Sequence, residues 1–132
     1  MLACGGGLEI TVERRTRYSV VDSDGDGTPE GVRLSSGAVY VDARERLSSF
    51  QILTPIAIAA IRGTAYAVDA ARGSTAVFVE RGAVNVIARD TNAGLVLRPG
   101  EGTDVRPGEE RLVARRWGAG RVDALLARLG RR

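Results

Sequence analysis

The chain has 132 residues, enough for one domain with a hydrophobic core, and 44% of them are hydrophobic. It carries 19 basic residues, all arginine, and 16 acidic residues, so its formal net charge is +3. With no histidine, no lysine and one cysteine, the sequence excludes an internal disulfide, the common zinc sites and the usual hydrolase triads, and we expect no enzyme.

The chain start, MLACGGG, lacks the basic and apolar regions of a signal peptide. The longest apolar run, Ile52 to Ile61, is about half as long as a membrane span. The sequence therefore predicts neither a signal peptide nor a transmembrane segment in this chain. Cys4 is interpreted as a small apolar residue of a strand or turn, rather than as part of a lipoprotein cleavage box.

Short runs of β-branched and apolar residues alternate with glycine-containing turns along most of the chain. This pattern predicts an all-β fold, a compact and solenoid-like β-roll or sandwich of many short strands. The predicted strands are Leu8–Val12, Tyr18–Val21, Gly31–Leu34, Ala38–Asp42, Phe50–Leu53, Ile56–Ile61, Thr64–Val68, Thr75–Val79, Ala83–Ala88, Leu95–Leu97, Thr103–Val105 and Leu112–Ala114.

The segment VDSDGDGTPEG, residues 21–31, is a candidate calcium loop. Carboxylates at alternate positions followed by a glycine resemble the loop of calcium-binding hands, although Arg33 stands where the bidentate glutamate belongs. The alternative is a polar hairpin loop with aspartates suited to turn geometry. The candidate metal ligands are Asp22, Asp24, Asp26, Thr28 and Glu30.

Glycine followed by small and alternating apolar residues recurs at uneven intervals, as GAVYV from residue 37, GTAYAV from 63 and GAVNV from 82. We interpret these copies as coils of the β-roll. Two copies of RPGE, at Arg98–Glu101 and Arg106–Glu109, predict type II turns, because Pro presets φ and the next Gly supplies a positive φ.

The segment 54–61 fits two structures. Thr54 as N-cap, Pro55 at the first position and Gly63 at the end describe a short helix. Alternation through Tyr66 and Val68 favours a strand instead, with Ile56, Ile58, Ala60, Arg62, Thr64, Tyr66 and Val68 on one face and small residues on the other.

One α-helix is predicted near the C-terminus, from Arg121 to Leu129, with Gly130 as its end. Its apolar stripe is expected to pack on the β-unit, with Trp117 as an anchor. We divide the chain into a β-domain, residues 1–116, and a helix with a basic tail, residues 117–132. The tail lacks the stacking aromatics of nucleic-acid readers, so no nucleic-acid partner is expected.

The order of these motifs resembles the FecR domain family. The resemblance rests on Thr54-Pro55, on the apolar run into Arg62-Gly63-Thr64, on Tyr66 and Val68, and on the following STAVFVERGAVNV and LVLRPGEGTDV. It implies an all-β, extracytoplasmic domain in the periplasm or at the cell surface, with its N-terminal part clipped. It further implies a non-enzymatic module that senses or binds an envelope protein or glycan, and the anti-sigma segment of the signalling members is not found.

The resemblance also bears on Arg62, a cation within the apolar run. On a strand its guanidinium would be buried beside Ile58 and Tyr66 and would require a carboxylate partner. Glu80 and Glu101, at strand ends in the neighbouring motifs, are the candidates, with Gly63 permitting close backbone approach and Thr64 bonding a backbone group. The alternatives are a ligand-binding Arg62 and, for the chain as a whole, a calcium-stabilised structural domain of a cell-envelope or secreted protein.

Overall fold

The computed structural model describes residues 2–4, 8–14, 16–21, 31–43, 50–108 and 111–130, and only the backbone of residues 2–4, 8, 21, 43 and 61–64. The described elements are ten strands and one helix: β1 (Leu2–Cys4), β2 (Leu8–Val12), β3 (Arg17–Val21), β4 (Gly31–Ala43), β5 (Phe50–Leu53), β6 (Ala57–Ala71), β7 (Ser74–Ala88), β8 (Gly94–Leu97), β9 (Glu101–Val105), β10 (Arg115–Arg116) and α1 (Ala119–Arg128).

The all-β prediction is confirmed, and the segment 54–61 enters a strand rather than a helix. Three strands are longer than predicted, because each of β4, β6 and β7 joins two predicted strands into one of 13 to 15 residues. The predicted strand Leu112–Ala114 is wrong. Leu112 buries its side chain in the core, and pairing with β9 begins only at Arg115.

The strands form a single sheet in which β4, β6 and β7 each take part in two groups of pairings. We call one group the helix-side half: β1, β2, β9 and β10 with residues 37–43, 65–71 and 74–79. We call the other the open half: β3, β5 and β8 with residues 31–36, 57–62 and 83–88.

Each long strand exchanges its inward and outward faces between the two halves. In β7, Val77 and Val79 lie in the main core before the midpoint, whereas Val84 and Val86 lie there after it. Val79 and Val84 differ by an odd number of positions, so a regular strand could not place both on one face. Gly82, at φ 82°, marks the change in β7, and Gly37, at φ 101°, marks it in β4.

The predicted single face running from Ile56 to Val68 is therefore wrong. The β6–β7 pairing shifts register between Arg62 and Tyr66, so Ala57 and Ala59 share the main core with Tyr66. Ile58 lies on the outer face, opposite to Tyr66. The recurring glycine motif, interpreted from the sequence as separate coils, marks the points at which the long strands bend.

The main core lies between the two halves, because its side chains come from both. Its largest fully buried members include Tyr66, Phe50, Ile10, Leu34, Ile52 and Leu97. The sheet thus folds on itself around one apolar interior, whose burial is the principal favourable term in folding.

A second apolar cluster lies outside the helix-side half, beneath α1. Leu125 and Leu126 of the helix pack with Phe78 and Trp117 and with a set of small sheet residues. The predicted anchor is confirmed, since the Trp117 and Phe78 rings stack with centroids 5.2 Å apart. The predicted end is confirmed as well, because Gly130 follows the helix at φ 72°.

Candidate functional site

The Thr54-Pro55 pair forms the tight turn that joins β5 to β6. The Thr54 hydroxyl is buried, accepts hydrogen bonds from the amides of Ala57 (2.9 Å) and Ile56 (3.3 Å), and lies 2.9 Å from the Thr75 hydroxyl. A threonine here satisfies donors that the turn would otherwise bury without partners. The Thr54-Pro55 pair thus stabilises the turn at one end of the open half.

Arg89, which directly follows β7, stabilises this turn through two hydrogen bonds. Its guanidinium donates to the Thr54 carbonyl (2.9 Å), and its amide donates to the Ile56 carbonyl (2.9 Å). Arg89, Arg33 and Pro55 contribute to the lining of a hollow of about 330 Å³ beside the turn. Two guanidiniums therefore border this end of the open half.

The outer face of the open half carries a row of apolar side chains across three strands. Leu53 of β5 pairs with Ile58 of β6, which pairs with Ile87 of β7. Paired residues of adjacent strands point to the same side of a sheet, so these three side chains are neighbours. All three are half-buried, and Val96 of β8 on the same side is 50% exposed.

Polar side chains flank this row. Asn85 pairs with Val96, while Gln51 pairs with Ala60 on the next strands, and both polar residues are exposed. We call the surface formed by Leu53, Ile58, Ile87 and Val96 the open face. An apolar centre with a polar rim is typical of protein interaction sites.

The sequence-predicted site residues with described side chains do not converge on one site. Tyr66 lies in the main core, and its phenol oxygen has no hydrogen-bond partner among the residues that the structure describes. Burial raises the pKa of Tyr66 well above its ordinary value. Glu80 accepts a hydrogen bond from the Tyr40 phenol (3.1 Å), and Glu101 accepts one from the Arg98 amide (2.8 Å) within the first RPGE turn.

Arg62, Gly63 and Thr64 lie on β6 where its register shifts, and their side chains are outside the described part of the structure. The pairing of Arg62 with Glu80 or Glu101 therefore stays a prediction. Its premise that Ile58 and Tyr66 share a face is wrong, because the strand bends between them.

The candidate calcium ligands Asp22, Asp24, Asp26, Thr28 and Glu30 also lie outside the described residues, so calcium binding stays a prediction. Within the ranges that the structure describes, no three His, Cys, Asp or Glu side chains are grouped to hold a metal ion. No helix in those ranges has the length and apolar character to cross a bilayer.

Sequence reasoning missed the open face and the contribution of Arg89. Ile87 interrupts the alternation of VNVIA, which signals apolar residues on both faces of the strand. The contact of Arg89 with Thr54 joins residues 35 positions apart, and no local pattern predicts it.

Comparison with known proteins identifies a family and similar solved structures. The family model described as "FecR protein" matches residues 2–85. Two crystal structures from Parabacteroides distasonis, each described as a "putative anti-sigma factor", are 18% identical to this chain, with TM-scores of 0.74 and 0.62 over 95% and 90% of it. The chain spans 58% and 64% of those two chains, and this likeness shows the fold alone. A search of curated proteins finds no match.

Proposed function

Since the chain belongs to the FecR family, we propose that it is an extracytoplasmic sensing or protein-interaction module of the bacterial envelope. The family supports a signalling or sensing role without catalysis. The envelope location, and an envelope protein as the partner, are the parts that we propose.

The observation that carries this proposal is the open face. The apolar row at the centre of the folded sheet is partly exposed to solvent, while the opposite outer face is covered by α1. Leaving such a row uncovered forgoes the free energy that burying it would contribute. A partner that covers Leu53, Ile58 and Ile87 would recover that free energy.

The charged residues at the edge of the open face indicate what kind of protein would bind it. Arg33 and Arg89 border the hollow at the Thr54 end of the open face. We therefore propose a protein that presents apolar side chains on the row and acidic side chains to these arginines.

Site-specific photo-crosslinking tests this proposal with a matched pair of positions. Val96 on the open face and Val113 beyond β9 are 50% and 49% exposed, so a photoreactive residue is equally accessible at both. In the source bacterium we expect a discrete protein adduct from position 96 and none from position 113. Cell fractionation should place this adduct in the envelope.

The captured protein is then purified and its affinity for the chain is measured. We expect Ile87→Glu to weaken binding at least about tenfold, because a charge would be buried against the partner, and Val113→Glu to leave affinity unchanged. Equal crosslinking at both positions, an adduct with a glycan only, or unchanged affinity of Ile87→Glu would each refute the proposed surface.

A further inference from the structure

A second concave site lies on the other side of the molecule, where the chain leaves β10 and enters α1. It is a cleft of about 290 Å³. Of the described residues that line it, four are arginines and one is acidic: Arg106, Arg115, Arg116, Arg121 and Asp104. The cleft is separate from the open face, so a ligand could bind here whether or not a partner covers that face.

Asp104 is already engaged by one of these arginines. Both terminal nitrogens of the Arg121 guanidinium donate to the Asp104 carboxylate, one of them at 2.9 Å. The same guanidinium lies 3.6 Å above the centre of the Trp117 ring, which holds it in place. The acidic group of the described lining is thus matched by Arg121 alone.

Arg115 is the arginine that remains available. Its side chain is exposed, and it makes no hydrogen bond or ion pair with any residue in the described part of the chain. Arg116 is placed differently, since its guanidinium lies against the turn at Gly100. β10 and α1 therefore place more guanidinium groups at the cleft than its one described acidic residue can pair.

The start of α1 adds to the positive potential of the cleft. Gly118, at the N-cap, lines the cleft and has no side chain to cap the helix, and the first turn contains no acidic residue. The first backbone N–H groups of a helix have no partner within it, and they carry a partial positive charge.

From these features we infer that the cleft binds a phosphate group. A carboxylate carries one charge in one plane and is satisfied by a single guanidinium, as Asp104 is by Arg121. A tetrahedral phosphate offers more acceptor oxygens and up to two charges, so it can engage Arg115 and the helix amides together while Arg121 stays paired with Asp104.

The phosphate can come from a soluble phosphomonoester or from a lipid headgroup. Trp117 is the one tryptophan of the chain and lines the cleft, so tryptophan fluorescence responds to a ligand that binds beside it. We would titrate the full chain with inorganic phosphate and with glycerol 3-phosphate at constant ionic strength. Vesicles of phosphatidylglycerol would be compared with vesicles of phosphatidylcholine in a separate arm.

We expect a saturable change of Trp117 fluorescence, with affinity weakened about tenfold by Arg115→Gln. The control Arg72→Gln removes an equal charge from the exposed β6–β7 turn and should change nothing. Asp104→Asn, which releases Arg121, should tighten binding.

Saturation by the soluble phosphates would assign a soluble ligand, whereas an Arg115-dependent response to phosphatidylglycerol vesicles alone would assign a headgroup. Three outcomes would overturn the inference: no saturable response in either arm, an equal loss in Arg115→Gln and Arg72→Gln, or binding to DNA with no response to phosphate or vesicles.

Discussion

The two outer faces of the folded sheet are built on the same three long strands, but α1 covers one face and solvent reaches the other. The helix-side half presents the small residues Ala65, Ala67 and Ala76 beside the larger Tyr40 and Phe78, and α1 packs on this set. The open half presents the larger Leu53, Ile58 and Ile87, and solvent reaches them. Small side chains admit a helix from the same chain, whereas large half-buried ones form a surface suited to a partner.

The largest expected effect lies on the covered face, in Trp117→Ala. Trp117 is 9% exposed and stacks on Phe78, and its indole fits only because Gly102 beneath it has no side chain. We expect a loss of about 3–5 kcal/mol in the free energy of unfolding, measured by urea denaturation. Trp117→Phe keeps a stacked ring and should lose less. A loss below about 1 kcal/mol for Trp117→Ala would mean that α1 does not stabilise the sheet.

A smaller loss is expected at the turn that ends the open half. Thr54→Val keeps the shape of the side chain, but it leaves the Ala57 amide and the Thr75 hydroxyl without this partner. We expect a cost of about 1–3 kcal/mol in the free energy of unfolding. The native fluorescence of Trp117 should not change, because the covered face is untouched. A double-mutant cycle with Thr75→Val should be non-additive, and strict additivity would show that the two hydroxyls do not interact.

Tyr66→Phe probes the interior that both halves share, and it should raise stability. Within the described part of the chain the buried phenol oxygen has no hydrogen-bond partner, so its removal should gain about 1–2 kcal/mol in the free energy of unfolding. A wild-type chain that proves the more stable would show that a partner, such as a buried water, satisfies this oxygen.

The same variant has a defined pH dependence. Burial raises the pKa of Tyr66, so above pH 10 or so the unfolded chain releases a proton that the folded chain retains. The stability of the wild type should therefore fall relative to Tyr66→Phe by about 1.4 kcal/mol per pH unit above that value. Parallel stability curves between pH 9 and 11.5 would contradict the buried phenol.

The smallest effect is expected on the open face itself. Val96→Thr keeps a β-branched side chain at a site that is 50% exposed, so the free energy of unfolding should change by less than about 0.5 kcal/mol. The same substitution should weaken binding of the partner captured at position 96. A large loss of stability would show that Val96 belongs to the core, and that the open face is not a solvent-exposed surface.

Local patterns in the sequence were sufficient to predict where the helix and most strands lie. The apolar spacing of Val122, Leu125 and Leu126 predicts α1, and each Pro-Gly pair predicts a turn whose glycine has a positive φ, at Gly100 and Gly108. These features depend on neighbours within a few residues, which a single sequence displays directly.

The joining of the strands could not be predicted in the same way. A glycine within an apolar run indicates a turn, yet at Gly37 and Gly82 the ladder continues through a bend. The change of face at these bends also reverses which residues are buried, so a single alternation could not hold on both sides of Arg62. Which outer face receives α1 depends on long-range packing that local periodicity does not contain.

The bends in β4, β6 and β7 make the two halves of the sheet unfold together. Each of these three backbones runs without interruption through both halves, so neither half can come apart while the other stays intact. Amide hydrogen exchange should therefore release the central residues of all three strands in one cooperative event, at the full free energy of unfolding. Only the peripheral strands and α1 are free to detach at lower cost.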